Sequence, residues 1–293
     1  MFDKRKQSYR GSSMNTRFYL ENCYKISQLI TENYSTSFSL ATWMLEKEKR
    51  RAIYAIYGFV RLADEIVDSF HEYDKETLIR QLEEDLDYAL NNRISINPVL
   101  AAFADTVNRY NIDMEYIQAF LKSMKNDLSQ KVYSTTEEMN GYVYGSADVV
   151  GLMCLRVFCN GNNELFLQLK YPAQKLGTAF QKVNFLRDLR NDIQELGRTY
   201  FPELSIKNFD EATKAILVDS IQKDFEEARQ GIKNLPGRSK LAVSLAFEYY
   251  QNLLLKIKNT PAELILQQRI RIPNLRKYLI IAKVNLKFAL GLI

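Results

Sequence analysis

Glycine and proline are scarce, with eleven and six among 293 residues. So few breakers exclude collagen-like, disordered and turn-dense β chains and favour long uninterrupted elements. Histidine occurs once, at His71, which excludes a histidine-based zinc site and a Ser-His-Asp triad. Lying between Phe70 and Glu72 just past an acidic motif, His71 reads as a surface or helix-end residue. The three cysteines, Cys23, Cys154 and Cys159, are an odd set, two of them inside an apolar run. They read as buried thiols of a reducing compartment, not as a disulfide framework. No apolar run reaches the roughly 18 residues of a spanning helix. The basic start MFDKRKQSYRGSSMNTRF lacks the apolar stretch of a secretory signal, so residues 1–17 read as a frayed, flexible arm. Forty basic against thirty-five acidic residues leave a dispersed net charge of +5, so nucleic acid is not an expected partner.

What is present is helical periodicity over almost the whole chain. A first helix is expected from Phe18 to Ile30, then a polar turn in which Ser35 or Ser37 caps the next element. Between Glu46 and Phe70, apolar residues recur at three and four, interrupted only by Gly58. Further helices are expected at about 74–91, 97–110, 113–129 and 136–159, with Pro98 tolerated in a first turn. The stretch from Asn163 to Leu196 is expected to bend or restart at Pro172 and to stop at Gly197–Pro202. Helices at 208–234 and 238–258 flank Leu235-Pro-Gly237, and a last one follows Pro273. With no repeat and no long linker, residues 18–293 read as one all-α domain of about ten helices. The closing stretch YLIIAKVNLKFALGLI, broken by Lys283 and Lys287, suits a packed last helix or a membrane-surface contact.

Two acidic patterns rise above fold reading. Asp64 and Asp68 are four apart on a helix, so their carboxylates point to one side and repel unless a cation lies between. Asp64 also falls where a core-facing position is due, which weighs against a merely solvated acidic face. Gln181, Asn184, Asp188 and Asp192 form a second oxygen-bearing stripe on a mostly apolar helix, and buried polar groups need partners. Hard oxygen donors suit Mg²⁺, which completes its shell with water and substrate phosphates. Two such helices face to face would cage a diphosphate. Arg61, Arg187, Arg190 and Arg198 lie near both patterns and can grip phosphate or merely pair on the helix surface. Tyr142-Val-Tyr144-Gly-Ser-Ala-Asp-Val-Val-Gly151 puts small residues in an apolar helix, for tight packing or for a flat wall beside a long apolar ligand. Asp148 is out of place there and needs a cation, a metal or water. Eighteen tyrosines and sixteen phenylalanines supply aromatic faces that can stabilise a carbocation without offering a nucleophile. Together these features point to ionisation of an allylic diphosphate.

The segments YSTSFSL (34–40), RRAIYAIYGFVRLADEIVD (50–68), YVYGSADVVGLM (142–153), AFQKVNFLRDLRNDIQELGRTYFP (179–202) and Tyr250-Gln-Asn-Leu-Leu254 stand in one order and spacing. In them the chain resembles the squalene/phytoene synthase family, the head-to-head trans-isoprenyl diphosphate synthases, over about Tyr34 to Tyr278. The resemblance implies an isoprenoid synthase-type helical bundle around a central cavity. It implies Mg²⁺, with Mn²⁺ as a substitute, on Asp64, Asp68, Asn184, Asp188 and Asp192. It assigns diphosphate contacts to Ser37, Arg61, Gln181, Asn184, Arg198 and Tyr250, and places Tyr144 near the reacting carbons. Catalysis is thereby expected of Asp64, Asp68, Tyr144, Asp188 and Asp192. Two positions depart from the family's pattern: Asn191 stands where Glu is frequent, and Asp148 where Gly is usual, a change expected to alter pocket shape or charge.

The implied reaction couples two prenyl diphosphates through a cyclopropylcarbinyl diphosphate. The length and the lack of a C-terminal span look more like the bacterial carotenoid enzymes, so the expected substrate is geranylgeranyl diphosphate and the expected product phytoene. The rival is a C15 enzyme acting on farnesyl diphosphate to give dehydrosqualene, presqualene diphosphate or squalene, the last requiring NADPH. No Gly-rich dinucleotide fingerprint is present, although this fold need not use one. Head-to-tail elongators and terpene cyclases are disfavoured by Asn191-Asp192-Ile-Gln-Glu195, which lacks the Ser/Thr of the cyclase motif. A non-catalytic scaffold should show broken aspartate pairs, and all four aspartates stand intact. A cytoplasmic enzyme touching the inner membrane face is expected, because its product is a hydrocarbon.

Overall fold

A computed structural model describes residues 14–204 and 209–293. The expected arm falls mostly on residues 1–13, outside the described residues, while Met14–Arg17 already form the first turn of α1 (Met14–Tyr34). Ser35 ends that helix and caps α2 (Thr36–Trp43), its hydroxyl accepting from Phe38 N–H at 3.3 Å. α3 (Lys47–Ser69) buries Ile53, Ile56, Phe59, Ala63 and Ile66 along one face, as its periodicity requires. Gly58 does not break it. There α1 comes so close that an added Cβ would meet Ser27 at 3.1 Å.

Capping sets the next boundaries. α4 (Lys75–Asn92) starts at Asp74, whose carboxylate accepts from Thr77 N–H, and α5 (Pro98–Tyr110) starts at Asn97 with Pro98 in its first turn. α6 (Met114–Ser129) follows, and a reciprocal Thr135–Glu138 box opens α7 (Thr136–Val143). One turn of π-helix, Tyr144–Asp148, then joins α7 to α8 (Val149–Cys159). By length and composition Thr136–Cys159 is apolar enough to cross a membrane, contrary to the sequence expectation, yet 56% of that window is buried inside the fold. It is a core helix whose apolar residues meet other helices.

α9 (Asn163–Gln194) continues through Pro172, so of the expected bend or restart the restart does not occur. The proline ring is accommodated because α10 (Glu211–Ile232) offers Gly231 there, where an added Cβ would lie 2.5 Å from the ring. Asp224 of α10 ties the two helices together, accepting from Lys182 at 2.7 Å and Lys175 at 3.2 Å. α11 (Gly237–Lys258), the short α12 (Ala262–Ile265), absent from the sequence reading, and α13 (Asn274–Ala289) complete the chain. No strand occurs among the described residues. A lone bridge, Val132 to Thr199, pins the segment after α9 to the one after α6.

The core falls into two main parts. One gathers α3, α5, α6 and α8 and includes the stacked rings of Phe59 and Phe103, 4.1 Å apart. The other gathers α9, α10 and α11 around Phe185, Phe225 and Leu253. Between them the helices enclose a cavity.

Candidate active site

The cavity has a volume of about 490 Å³ and is walled by α2, α3, α6, α8, α9, α10 and α11 and by the π turn. Along α9 its walls run from Leu169 to Asp192, roughly 34 Å of helix axis. Its walls change character with depth. Phe158, Leu169, Pro172, Ile232 and Leu235 close the apolar end, while Asp64, Asp68, Asp188 and Asp192 line the other. Small side chains, Ala41, Thr42, Gly151, Ala173, Gly231 and Ala246, keep the space between them open.

Helical spacing places the carboxylates. Asp64 and Asp68 sit one turn apart on α3, and Gln181, Asn184, Asp188 and Asp192 descend one face of α9, all six lining the cavity. Burial, with Asp68 beside it, pushes the Asp64 carboxyl up to about 7. Burial and the neighbouring Asp188 do the same to Asp192. Carboxylates held close enough to resist ionisation fit a divalent cation, which would relieve both desolvation and repulsion. Among the described residues no three His, Cys, Asp or Glu side chains converge into a closed metal cluster. Open positions of that kind fit Mg²⁺, which takes one or two carboxylates and fills its shell with water and phosphate oxygens.

Cationic side chains already engage two of the four aspartates. Arg198 Nη1 donates to Asp68 Oδ1 at 2.7 Å, and its Nη2 donates to the Asp127 carbonyl at 3.2 Å. Arg198 reaches this position because the stretch after α9 turns back, its own N–H donating to Asp192 O at 2.6 Å. Asp188 pairs with its neighbour Arg187 and, at 2.6 Å, with Arg269 from the segment between α12 and α13. Tyr250 Oη donates to Asn184 Oδ1 at 3.2 Å and its ring stacks on Phe180, centroids 4.0 Å apart. Arg190 only meets Gln194 on the surface, and Asn191 is exposed outside the cavity.

Three of the expected site residues are not among the cavity's walls. Ser37 lies on the first turn of α2, whereas Phe38, Ala41 and Thr42 face inward. Arg61 reaches one turn forward along α3 to pair with Glu65, with its guanidinium 4.3 Å over the Tyr34 ring. Tyr144 packs against the first core part near Glu115 and Lys170. The π turn adds a residue to the helical repeat, so Tyr142, Ser146, Ala147, Val150 and Gly151 face the cavity instead.

Two participants escaped the sequence reading. Asp127 of α6 lines the cavity, its Oδ2 accepting from Tyr142 Oη at 3.0 Å while its buried Oδ1 has no partner. Burial raises its carboxyl to about 7. The signal was present: Asp127 falls in the inward row of Ile117, Phe120 and Met124. Arg269 gave no such signal, because it lies outside any helix.

Asp148, the position where a change of pocket shape or charge was expected, is not among the cavity's walls. Its Oδ1 accepts from Thr178 Oγ1 at 2.9 Å, and Gly177 makes room for it, an added Cβ there lying 2.9 Å from Asp148. Burial raises the Asp148 carboxyl to about 7, so the folded state holds a proton that the unfolded chain releases near 4. Stability from this group is therefore present at low pH and lost as pH climbs toward 7. In Asp148→Asn the fall in melting temperature between pH 5 and pH 7.5 should be smaller than in the wild type, as calorimetry at both pH values would read. An equal fall would show that Asp148 titrates as it does in the unfolded chain.

His71 is exposed beyond α3 with Nδ1 3.1 Å from Lys75 Nζ, and Cys23, Cys154 and Cys159 are free, as expected. Cys154 is a wall residue of the cavity, and its thiol is pushed up to about 12 by burial.

A helical bundle with aspartates from two helices at one end of an apolar cavity has the architecture of isoprenoid synthases. Comparison with known proteins agrees. Residues 31–276 match the model of the squalene/phytoene synthase family, and the chain belongs to that family of prenyltransferases. It is similar to a phytoene synthase of Arthrospira platensis, 29% identical, over 96% of this chain and 98% of the relative. A 4,4'-diapophytoene synthase of Staphylococcus haemolyticus is 23% identical over 92% of this chain and 98% of its own length. Among solved structures, a dehydrosqualene synthase superposes with a TM-score of 0.78 at 23% identity, covering 93% of this chain and 98% of that one. A squalene synthase from Alicyclobacillus acidocaldarius gives 0.72 at 23% identity, over 82% and 95%. These two structural likenesses concern the fold.

Proposed function

We propose that the chain joins two molecules of geranylgeranyl diphosphate head to head and forms phytoene. The observation that carries this reading is the shared end of the cavity, where carboxylate pairs from α3 and α9 meet at the head of a long apolar pocket. Asp64, Asp68, Asn184, Asp188 and Asp192 would hold Mg²⁺, or Mn²⁺ in its place. When bound, the metal supplies neutralisation of the departing diphosphate, which lowers the barrier to C–O cleavage. Arg198, Gln181 and Tyr250 are placed to hold phosphate oxygens, and Arg187 and Arg269 to exchange a carboxylate partner for a phosphate one.

Two ionisations follow. The C–O bond of the first substrate breaks, and the double bond of the second captures its allylic cation. Loss of a proton closes a cyclopropylcarbinyl diphosphate. The C–O bond of that intermediate then breaks, the carbon skeleton rearranges to the linear coupled form, and a second proton leaves. The rings of Phe38, Tyr57, Phe180 and Tyr250 line the cavity and offer π faces to the cations, and the apolar walls exclude water that would quench them.

The small residues along the pocket and the similarity to phytoene synthases support the C20 substrate. The similarity to a 4,4'-diapophytoene synthase supports the second reading, a C15 enzyme on farnesyl diphosphate, with NADPH required only if squalene is formed. The purified chain should be given Mg²⁺ with geranylgeranyl or farnesyl diphosphate, each with and without NADPH, and extracted hydrocarbons identified by mass. The C20 reading expects a C40 hydrocarbon without NADPH. A C30 product from farnesyl diphosphate alone would transfer the assignment to the second reading.

A further inference from the structure

The outward face of α13 violates the rule that the solvent side of a surface helix is polar. Leu275, Leu279 and Leu286 are 74%, 62% and 62% exposed, Tyr278 is 65% exposed, and Leu290 and Leu292 extend the row past the helix end. At about 100° per residue, Leu275, Tyr278, Leu279, Ala282 and Leu286 share one arc, opposite the inward-packed Ile280 and Val284. No charged residue enters that arc. Exposed apolar residues elsewhere stand singly, as Ile96, Leu167 and Ile216 do, or, like Met14, Phe18 and Leu29 of α1, share their arc with the charged Lys25 and Glu32. Contiguous exposed apolar surface of this kind marks an interaction site.

The charges beside the row select the partner. Arg276, Lys283 and Lys287 line one edge of it, and from Leu264 to Ile293 the chain has six basic residues and no acidic one. Lys283 and Lys287 rest against Glu248 of α11 at 3.1 and 3.6 Å, which holds the basic edge upright beside the row. Arg276 Nε donates to Asn252 Oδ1 at 3.1 Å. An identical chain would bring an equally basic segment with no counter-charge. A layer of anionic headgroups supplies both the apolar medium and the charge, as for helices that lie in a bilayer interface. Tyr278 has the amphipathic ring favoured at that depth.

We infer that α13 docks the protein on an anionic lipid surface, with the Leu275–Leu286 row entering the interface and Arg276, Lys283 and Lys287 meeting the headgroups. The docked helix begins beside the carboxylate end of the cavity. Arg269, in the segment leading into α13, pairs with Asp188, and Lys277 Nζ lies 3.1 Å from Thr36 Oγ1 at the start of α2. Apolar substrate and product would therefore be exchanged next to the bilayer, not across open water. The docking argument holds whichever prenyl chain length the cavity takes.

The test is co-sedimentation of the full chain, without substrate, with vesicles of equal parts phosphatidylglycerol and phosphatidylcholine or of phosphatidylcholine alone. The wild type should bind the anionic vesicles and bind the neutral ones at least tenfold less. The double variant Leu279→Glu/Leu286→Glu changes only exposed side chains, so its circular dichroism and melting temperature should match the wild type while vesicle binding falls at least tenfold. Unaltered binding by that variant would overturn the inference, as would failure of the wild type to bind either vesicle. A wild-type dimer in sedimentation that the double variant converts to monomer would also overturn it, because a second copy would then cover the row.

Discussion

Asp64→Asn and Asp192→Asn should each lower the rate of diphosphate release by about 10³-fold or more, roughly 4 kcal/mol of barrier. Asparagine keeps the size and one carbonyl oxygen but removes the charge that a divalent cation needs. These two are the informative choices, because neither makes an ion pair among the described residues, whereas Asp68 and Asp188 are held by arginines. The same substitutions should leave the metal-free protein at least as stable as the wild type at pH 8. Burial and like charge raise both carboxyls to about 7, so each contributes stability at low pH that is lost as pH rises through 7. Removing the charge recovers it. Kinetics and calorimetry on one preparation check both halves. A variant that loses activity together with stability would indicate a structural role, not a metal-binding one.

Ala173→Phe should change the product more than it changes the rate. Ala173 lines the apolar end on α9, near Pro172 and Leu169. A benzyl group there fills the space that the distal part of the longer prenyl chain would occupy, while the carboxylate end some 22 Å away along α9 is untouched. Steric exclusion from a closely packed wall is costly to relieve, so C40 formation from geranylgeranyl diphosphate should fall at least a hundredfold. Coupling of farnesyl diphosphate should persist or rise. The ratio of C30 to C40 hydrocarbon, read by mass spectrometry from mixed substrates, is the measurement. An unchanged ratio would mean that the distal chain does not lie along α9.

Much of the site was legible because α3 and α9 are regular. A 3.6-residue repeat alone aligns Gln181, Asn184, Asp188 and Asp192, and the structure keeps that face toward the cavity over its whole length. Tyr144, placed near the reacting carbons by the resemblance alone, is not a wall residue, because the π turn shifts the phase of the repeat and Tyr142 takes the inward place. Arg61 shows a different limit of helical spacing. The helix face is right, but a long side chain chooses among partners, and Glu65 and the Tyr34 ring draw the guanidinium away. Arg269 belongs to irregular chain, where no period assigns a direction. Asp148 reads as a pocket residue from its neighbours in sequence, and only the opposing Gly177, nearly thirty positions later, reveals the space into which it turns. Helix starts fared well where a cap fixes them: those expected at about 97 and 136 fall where Asn97 and Thr135 cap α5 and α7. The unbroken α9 required knowing that Gly231 faces Pro172, a tertiary fact.

The most direct test is the stoichiometry and metal dependence of diphosphate release from geranylgeranyl diphosphate without NADPH. The account predicts two diphosphates released per C40 hydrocarbon formed, both ceasing when the divalent cation is chelated and both returning with added Mg²⁺. Diphosphate release without a coupled hydrocarbon, or release indifferent to chelation, would contradict it.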